Sequence, residues 1–168
     1  MLVFVEGEMK IDFKDNSLRN WYVVNDGVMG GLSKGYISET ETGVRFQGVV
    51  SLENNGGFSS FRGPTQRYDL SDYNEVTIRY RSTGVKVAFQ LSVDQRFYYP
   101  NFKIKLPNSE EWSTKTFALD EVRQYRLGYP TGGYLSQASK GDIIRLGFIT
   151  DEKRAGDFEF EVDYVVFR

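Results

Sequence analysis

Three stretches of the chain alternate apolar and polar residues with a period of two. In VKVAFQLSV, residues 85–93, Val85, Val87, Phe89, Leu91 and Val93 fall on one side and Lys86, Gln90 and Ser92 on the other. In FEFEVDYVVF, residues 158–167, Phe158, Phe160, Val162, Tyr164 and Val166 oppose Glu159, Glu161 and Asp163. EVTIRYRS, residues 75–82, sets Val76, Ile78 and Tyr80 against Thr77, Arg79 and Arg81. Half-polar strands of this kind belong to antiparallel sheets with one wet face. Further strands are expected at 9–13, 21–24, 35–39, 44–52, 57–62, 97–105, 113–119 and 142–150, separated by turn signals such as Asn54-Asn55-Gly56-Gly57, Asn108-Ser109 and Gly132-Gly133. This rhythm predicts an all-β fold: an antiparallel β-sandwich or jelly roll. Short helices are expected only at 15–20 and 119–125, the second with Asp120 as N-cap, and 124–141 reads as a long surface loop.

Composition narrows the chemistry. A length of 168 residues without repeat or composition shift suits a single domain, 1–168. There is no Cys and no His, which removes disulfides, thiolate and imidazole metal ligands, and serine or cysteine catalysis that relies on a histidine base. The expectation is a protein that is not an enzyme, with no cofactor and no resident metal. With 21 basic against 23 acidic residues the net charge is −2, too little for a general nucleic-acid field. The four apolar residues after Met1 are too few for a signal peptide, and no run approaches the ~20 residues of a membrane span. No membrane span and a cytoplasmic location are therefore expected.

Residues 25–35, NDGVMGGLSKG, are the first candidate for specific chemistry. A phosphate-binding loop fails, because Tyr36 and Ile37 stand where Lys and Ser/Thr belong after Gly35, and a strand pattern follows where a helix is needed. A dinucleotide fingerprint fails for the same reason. The structural reading is a tight turn at Asn25-Asp26-Gly27, with Gly27 at positive φ, a second reversal at Gly30-Gly31, and Met29 plugging the core. The second glycine-rich stretch, SLENNGGFSSFRG at 51–63, has the Asn-Gly chemistry of a type I′ hairpin turn.

Taken together, W-x-V-x-N-D-G-V-M-G-G-x-S from Trp21 to Ser33, F-x-G-V-V-S-L-E-N-N-G-G-F-S-S-F-R from Phe46 to Arg62, and IIRLGFITDEKRAGDFEFEVDYVVF at 143–167 resemble the complex I intermediate-associated protein 30 family. The resemblance implies a galactose-binding-like jelly roll and a non-catalytic, chaperone-like role in assembling a larger complex. The implied partner is a protein client, such as a subunit of a respiratory or other membrane complex. The binding surface expected on this basis comprises Asn25, Asp26, Gly27, Met29, Gly30, Gly31 and Ser33 together with Asn54, Asn55, Gly56, Gly57, Phe58 and Arg62. Polar contacts would come from Asn25, Asp26 and Ser33, a charge-assisted donor from Arg62, and close backbone approach from the glycines.

RFYYPNF (96–102) and YRLGYPTGGY (125–134) present aromatic faces suited to a sugar, so a carbohydrate-binding module is the competing reading. Stacking of single-stranded nucleic acid would need an electropositive groove, for which Arg62, Arg67, Arg79 and Arg81 offer only a small patch. The Glu159/Glu161/Asp163 row reads as a solvated strand face, and Asp26, Glu53 and Asp163 as a conceivable all-oxygen calcium shell without a loop signature.

Overall fold

A computed structural model of the chain describes residues 1–14 and 18–168, without the side chains of Val28 and Met29. Among the described residues, fourteen strands form two seven-stranded antiparallel sheets. The first contains β1 (Leu2–Val5), β2 (Glu8–Asp12), β4 (Lys34–Glu39), β5 (Val44–Val50), β7 (Glu75–Gly84), β10 (Ser109–Ala118) and β14 (Gly156–Phe167). The second runs in the order β12 (Tyr129–Tyr134), β11 (Arg123–Arg126), β9 (Asn101–Lys105), β8 (Val87–Ser92), β13 (Arg145–Thr150), β6 (Ser59–Arg62) and β3 (Tyr22–Asn25). The short helix α1 (Gln137–Gly141) is capped by Ser136, whose hydroxyl accepts from Ser139 N–H at 3.1 Å.

β14 is the spine of the first sheet. On one side it pairs with β7 along almost its whole length; on the other its first half pairs with β5 and its last four residues with β2. β4 extends the sheet beyond β5, β1 beyond β2 and β10 beyond β7. The inner faces of the two sheets share one core, in which Phe148 of β13 lies 4.8 Å from Phe160 of β14 and 5.1 Å from Phe89 of β8, centroid to centroid. Aromatic rings at these separations add edge and offset-stacking attraction to their burial.

Alternation places the inward residues of β7 and β8 as expected, but fails halfway along β14. A bulge between Val162 and Tyr164 shifts the register, so Phe158, Phe160 and Val162 face the core and then Val165 and Phe167, in place of the expected Tyr164 and Val166. The extra residue, Asp163, offers its carbonyl to Phe13 N–H at 2.9 Å. Residues 124–141 are not a loop: they supply most of the β11–β12 hairpin, turned at Leu127-Gly128 with φ of 50° and 82°, and then α1. The helix expected at 119–125 is a single 3-10 turn at Leu119–Glu121 without a side-chain cap, because β11 pairs with β9 immediately after it. The helix expected at 15–20 lies partly outside the described residues. No helix among the described residues is long and apolar enough to cross a membrane.

Candidate functional site

The two glycine-rich segments meet at one end of the sandwich, where Asp26 joins them. Its carboxylate is 1% exposed; Oδ1 accepts from Ser33 N–H at 2.9 Å, and Oδ2 from Gly57 N–H at 2.6 Å and Phe58 N–H at 3.1 Å. Burial pushes the pKa of this carboxyl up, but hydrogen bonds from Ser33, Gly57 and Phe58 outweigh it and hold the value below 3.8. A Cβ on Gly31 would stand 2.3 Å from the Asp26 carboxylate, and one on Gly56 2.7 Å from it, so these two glycines are the clearance around the carboxylate.

The neighbouring polar residues are used in the same way. Asn25 Oδ1 accepts from Gly35 N–H at 3.0 Å and from the Ser59 hydroxyl at 2.5 Å, pinning β4 to the β3–β6 pair. Ser33 Oγ donates to Ser51 C=O at 3.2 Å and accepts from Ser51 N–H at 3.0 Å. The positive φ expected at Gly27 falls instead at Gly30 (86°), which ends a 3-10 turn over Asp26–Met29. In the second loop Asn54 and Asn55 take the left-handed conformation, at 54° and 58°, and Gly57 sits at 145°. The expected core plug at Met29 concerns a side chain outside the described ones.

With Asn25, Asp26 and Ser33 spent internally, what these loops present to solvent is backbone, apolar surface and the side chains of Glu53, Asn54 and Asn55. Gly27, Gly30, Asn54 and Asn55 are exposed, Phe58 is half-buried, and Leu32 and Leu52 stand 51% and 45% exposed beside them. Val49 and Tyr36 of the adjoining β5 and β4 are exposed as well. Nothing in composition marked Leu32 and Leu52; a leucine within each glycine-rich run was the available signal. Arg62 is apart from this cluster, at the other end of β6, where Phe61 faces the core and Arg62 the outer face of the second sheet.

The outer face of the first sheet is neutralised internally. Glu161 is 2% exposed, not solvated: it meets Arg81 Nη2 at 2.6 Å, Arg45 Nη2 at 3.4 Å and the Thr40 hydroxyl at 2.7 Å. Arg79 pairs with Asp163, and Trp112 lies 4.6 Å from the Arg79 guanidinium and 5.3 Å from that of Arg81. Asp163 is thus occupied on this face, and Asp26, Glu53 and Asp163 do not assemble into a cation shell; no group of three or more metal-ligating side chains occurs among the described residues.

The aromatic segments belong to the β12 edge of the second sheet: residues 125–134 form most of the β11–β12 hairpin, and residues 96–100 lead into β9. Phe97, Tyr98 and Tyr99 are exposed, with Arg96 stacked 3.9 Å from the Tyr99 ring, and Lys153 lies 3.7 Å from the ring of Tyr129. Between the β11–β12 turn and residues 151–154 is an open cleft of about 430 Å³, lined among others by Lys105, Tyr125, Pro130 and Asp151.

Two facing antiparallel sheets with ligand-sized clefts and loop clusters outside them define a galactose-binding-like jelly roll, the class that includes many carbohydrate-binding modules. The family 11 carbohydrate-binding module of a cellulosomal cellulase of Clostridium thermocellum superposes with a TM-score of 0.66 at 15% identity, covering 95% of this chain and 93% of that one. The same module in complex with a β-1,3-1,4-mixed-linked tetrasaccharide gives 0.65 at 16% identity, covering 95% and 94%. A mutant of a family 29 carbohydrate-binding module gives 0.56 at 14%, covering 96% and 91%. At these identities the likeness establishes the fold. The sequence itself is more specific: residues 11–162 match the model of complex I intermediate-associated protein 30, and the chain belongs to that family. No curated protein sequence matches it.

Proposed function

We propose that this chain is a non-catalytic binding module that holds a protein client during assembly of a larger complex, with a subunit of a respiratory or other membrane complex as the client class. Family membership supports the role, and the carrying observation is the loop pair clamped by Asp26. A single buried carboxylate fixes both loops, while Leu32, Leu52 and the exposed backbone around Gly27, Gly30, Asn54 and Asn55 are left uncovered. A pre-ordered rim loses little entropy on docking, and exposed apolar side chains grouped on such a rim are the usual signature of a protein contact. Asn25, Asp26, Ser33, Gly31 and Gly56 act here as scaffold of the surface. Gly27, Gly30, Asn54, Asn55, Leu32 and Leu52 act as its contact.

A second reading, carbohydrate binding, is favoured by Tyr125 in the lining of the 430 Å³ cleft, by the exposed rings of Tyr98, Tyr99 and Tyr129, and by the likeness to modules of which one carries a bound tetrasaccharide. One comparison separates the two. Chemical crosslinking in native extract with the wild type and with Leu32→Asp/Leu52→Asp should enrich subunits of one complex with the wild type alone, both proteins melting at the same temperature. Identical crosslinks from the two proteins, or binding of a mixed-linked glucan that Tyr98→Ala/Tyr99→Ala abolishes, would replace the client reading.

A further inference from the structure

On the outer face of the second sheet, Arg62 of β6 and Arg145 of β13 lie on neighbouring strands, and neither has a carboxylate within ion-pair distance among the described residues. Arg145 is 8% exposed. One terminal nitrogen donates to Thr65 Oγ1 at 2.7 Å, while its Nε is buried and has no acceptor. Arg62 is half-buried, spends its Nε on Ser60 Oγ at 2.9 Å, and its stem crosses Gly147, where a Cβ would meet its Cγ at 3.7 Å.

Elsewhere on the molecule the rule is different. The half-buried arginines of the first sheet, Arg45, Arg79 and Arg81, each meet a carboxylate. A buried, incompletely bonded guanidinium is costly to keep in place, and a second positive charge beside it raises that cost. Burial, and next to it the Arg145 charge, hold the Arg62 pKa below its ordinary value. Tyr22, opposite Arg62 in register on β3, and Thr65 border the pair with hydroxyls, which cannot neutralise it.

We infer that the Arg62–Arg145 pair is a binding site for an oxyanion, a carboxylate or phosphate group that supplies the missing negative charge. Guanidinium groups match both through paired, charge-assisted N–H donors. The inference does not depend on the client reading: it specifies a charge the surface requires, whichever molecule carries it.

The test uses the whole chain and two probes, inorganic phosphate and acetate, against chloride at matched ionic strength. Arginine Nε–H resonances of Arg62 and Arg145 and the melting temperature are followed through each titration. Saturable shifts of these resonances, with a rise in melting temperature above that in chloride, are expected for at least one probe. Phosphate alone acting assigns the site to phosphate esters; acetate alone assigns it to carboxylates. Arg62→Gln, at a half-exposed position, should fold as the wild type does and bind the effective probe about tenfold more weakly or worse. Arg145→Lys, which keeps the charge and loses the fork, should weaken it too. Non-saturating shifts equal to those in chloride, or equal binding by wild type and Arg62→Gln, would overturn the site.

Discussion

At the scale of single residues, Asp26 shows how an apparent recognition residue becomes a structural one. The sequence offers an acidic side chain among glycines, and nothing local says whether it faces a ligand or its own backbone. The answer depends on Gly57 and Phe58, about thirty positions away, whose N–H groups it accepts. Asp26→Asn keeps the shape and removes the charge that three N–H donors rely on, so it should lower unfolding free energy at neutral pH by about 3 kcal/mol. The pH dependence has a definite sign. Because the folded-state pKa is depressed below 3.8, the stabilisation is fully present above that value and is lost as pH falls through the folded value. Urea titrations should show the gap between wild type and variant narrowing toward pH 3; a gap of constant size would reject the carboxylate as its source. Arg145 was invisible for the opposite reason. It stands inside an apolar run, Ile143 to Ile149, where a strand reading assigns it to the wet face and stops.

At the scale of elements, the strands legible in the sequence are those that keep a period of two to their ends. β7 and β8 do; β14 does not, because a bulge at Asp163 exchanges its faces, and a run of apolar residues at 164–167 fits either register. The β11–β12 hairpin was missed because its residues alternate weakly and its Gly and Pro positions resemble an irregular loop. The glycines record close approaches that pattern cannot show. A Cβ on Gly48 of β5 would lie 1.9 Å from the Lys34 carbonyl of β4, and backbone cannot yield as a side chain tip does. Gly48→Ala should therefore cost about 2 kcal/mol. Hydrogen exchange at the amides of Lys34–Glu39 should accelerate first, since β4 is the strand displaced. Exchange that rises uniformly over both sheets would mean that the strain is shared and β4 is not its outlet.

At the scale of the whole molecule, both sheets depend on the same aromatic interior, so they should unfold together. The two tryptophans report on the sheets separately. Trp21, partly buried, packs against the core just before β3 of the second sheet, 4.7 Å from Phe61 and 5.0 Å from Phe13, while Trp112 lies over Arg79 and Arg81 on the outer face of the first sheet. Single-tryptophan variants made by Trp→Phe exchange should give coincident denaturation curves. Phe148→Ala, which opens a cavity among Phe61, Phe89 and Phe160, should shift both curves equally, by about 3–5 kcal/mol. Separate midpoints would show that the layers are independently stable.

The first sheet receives its spine from a strand that follows all its partners in sequence order, with Met9 aligned to Phe167 and Val44 to Val162. During synthesis β2, β5 and β7 emerge with their pairing edges vacant, and wait for a strand the ribosome has not yet delivered. Anything that binds extended backbone can occupy that gap, which closes only once β14 has itself emerged.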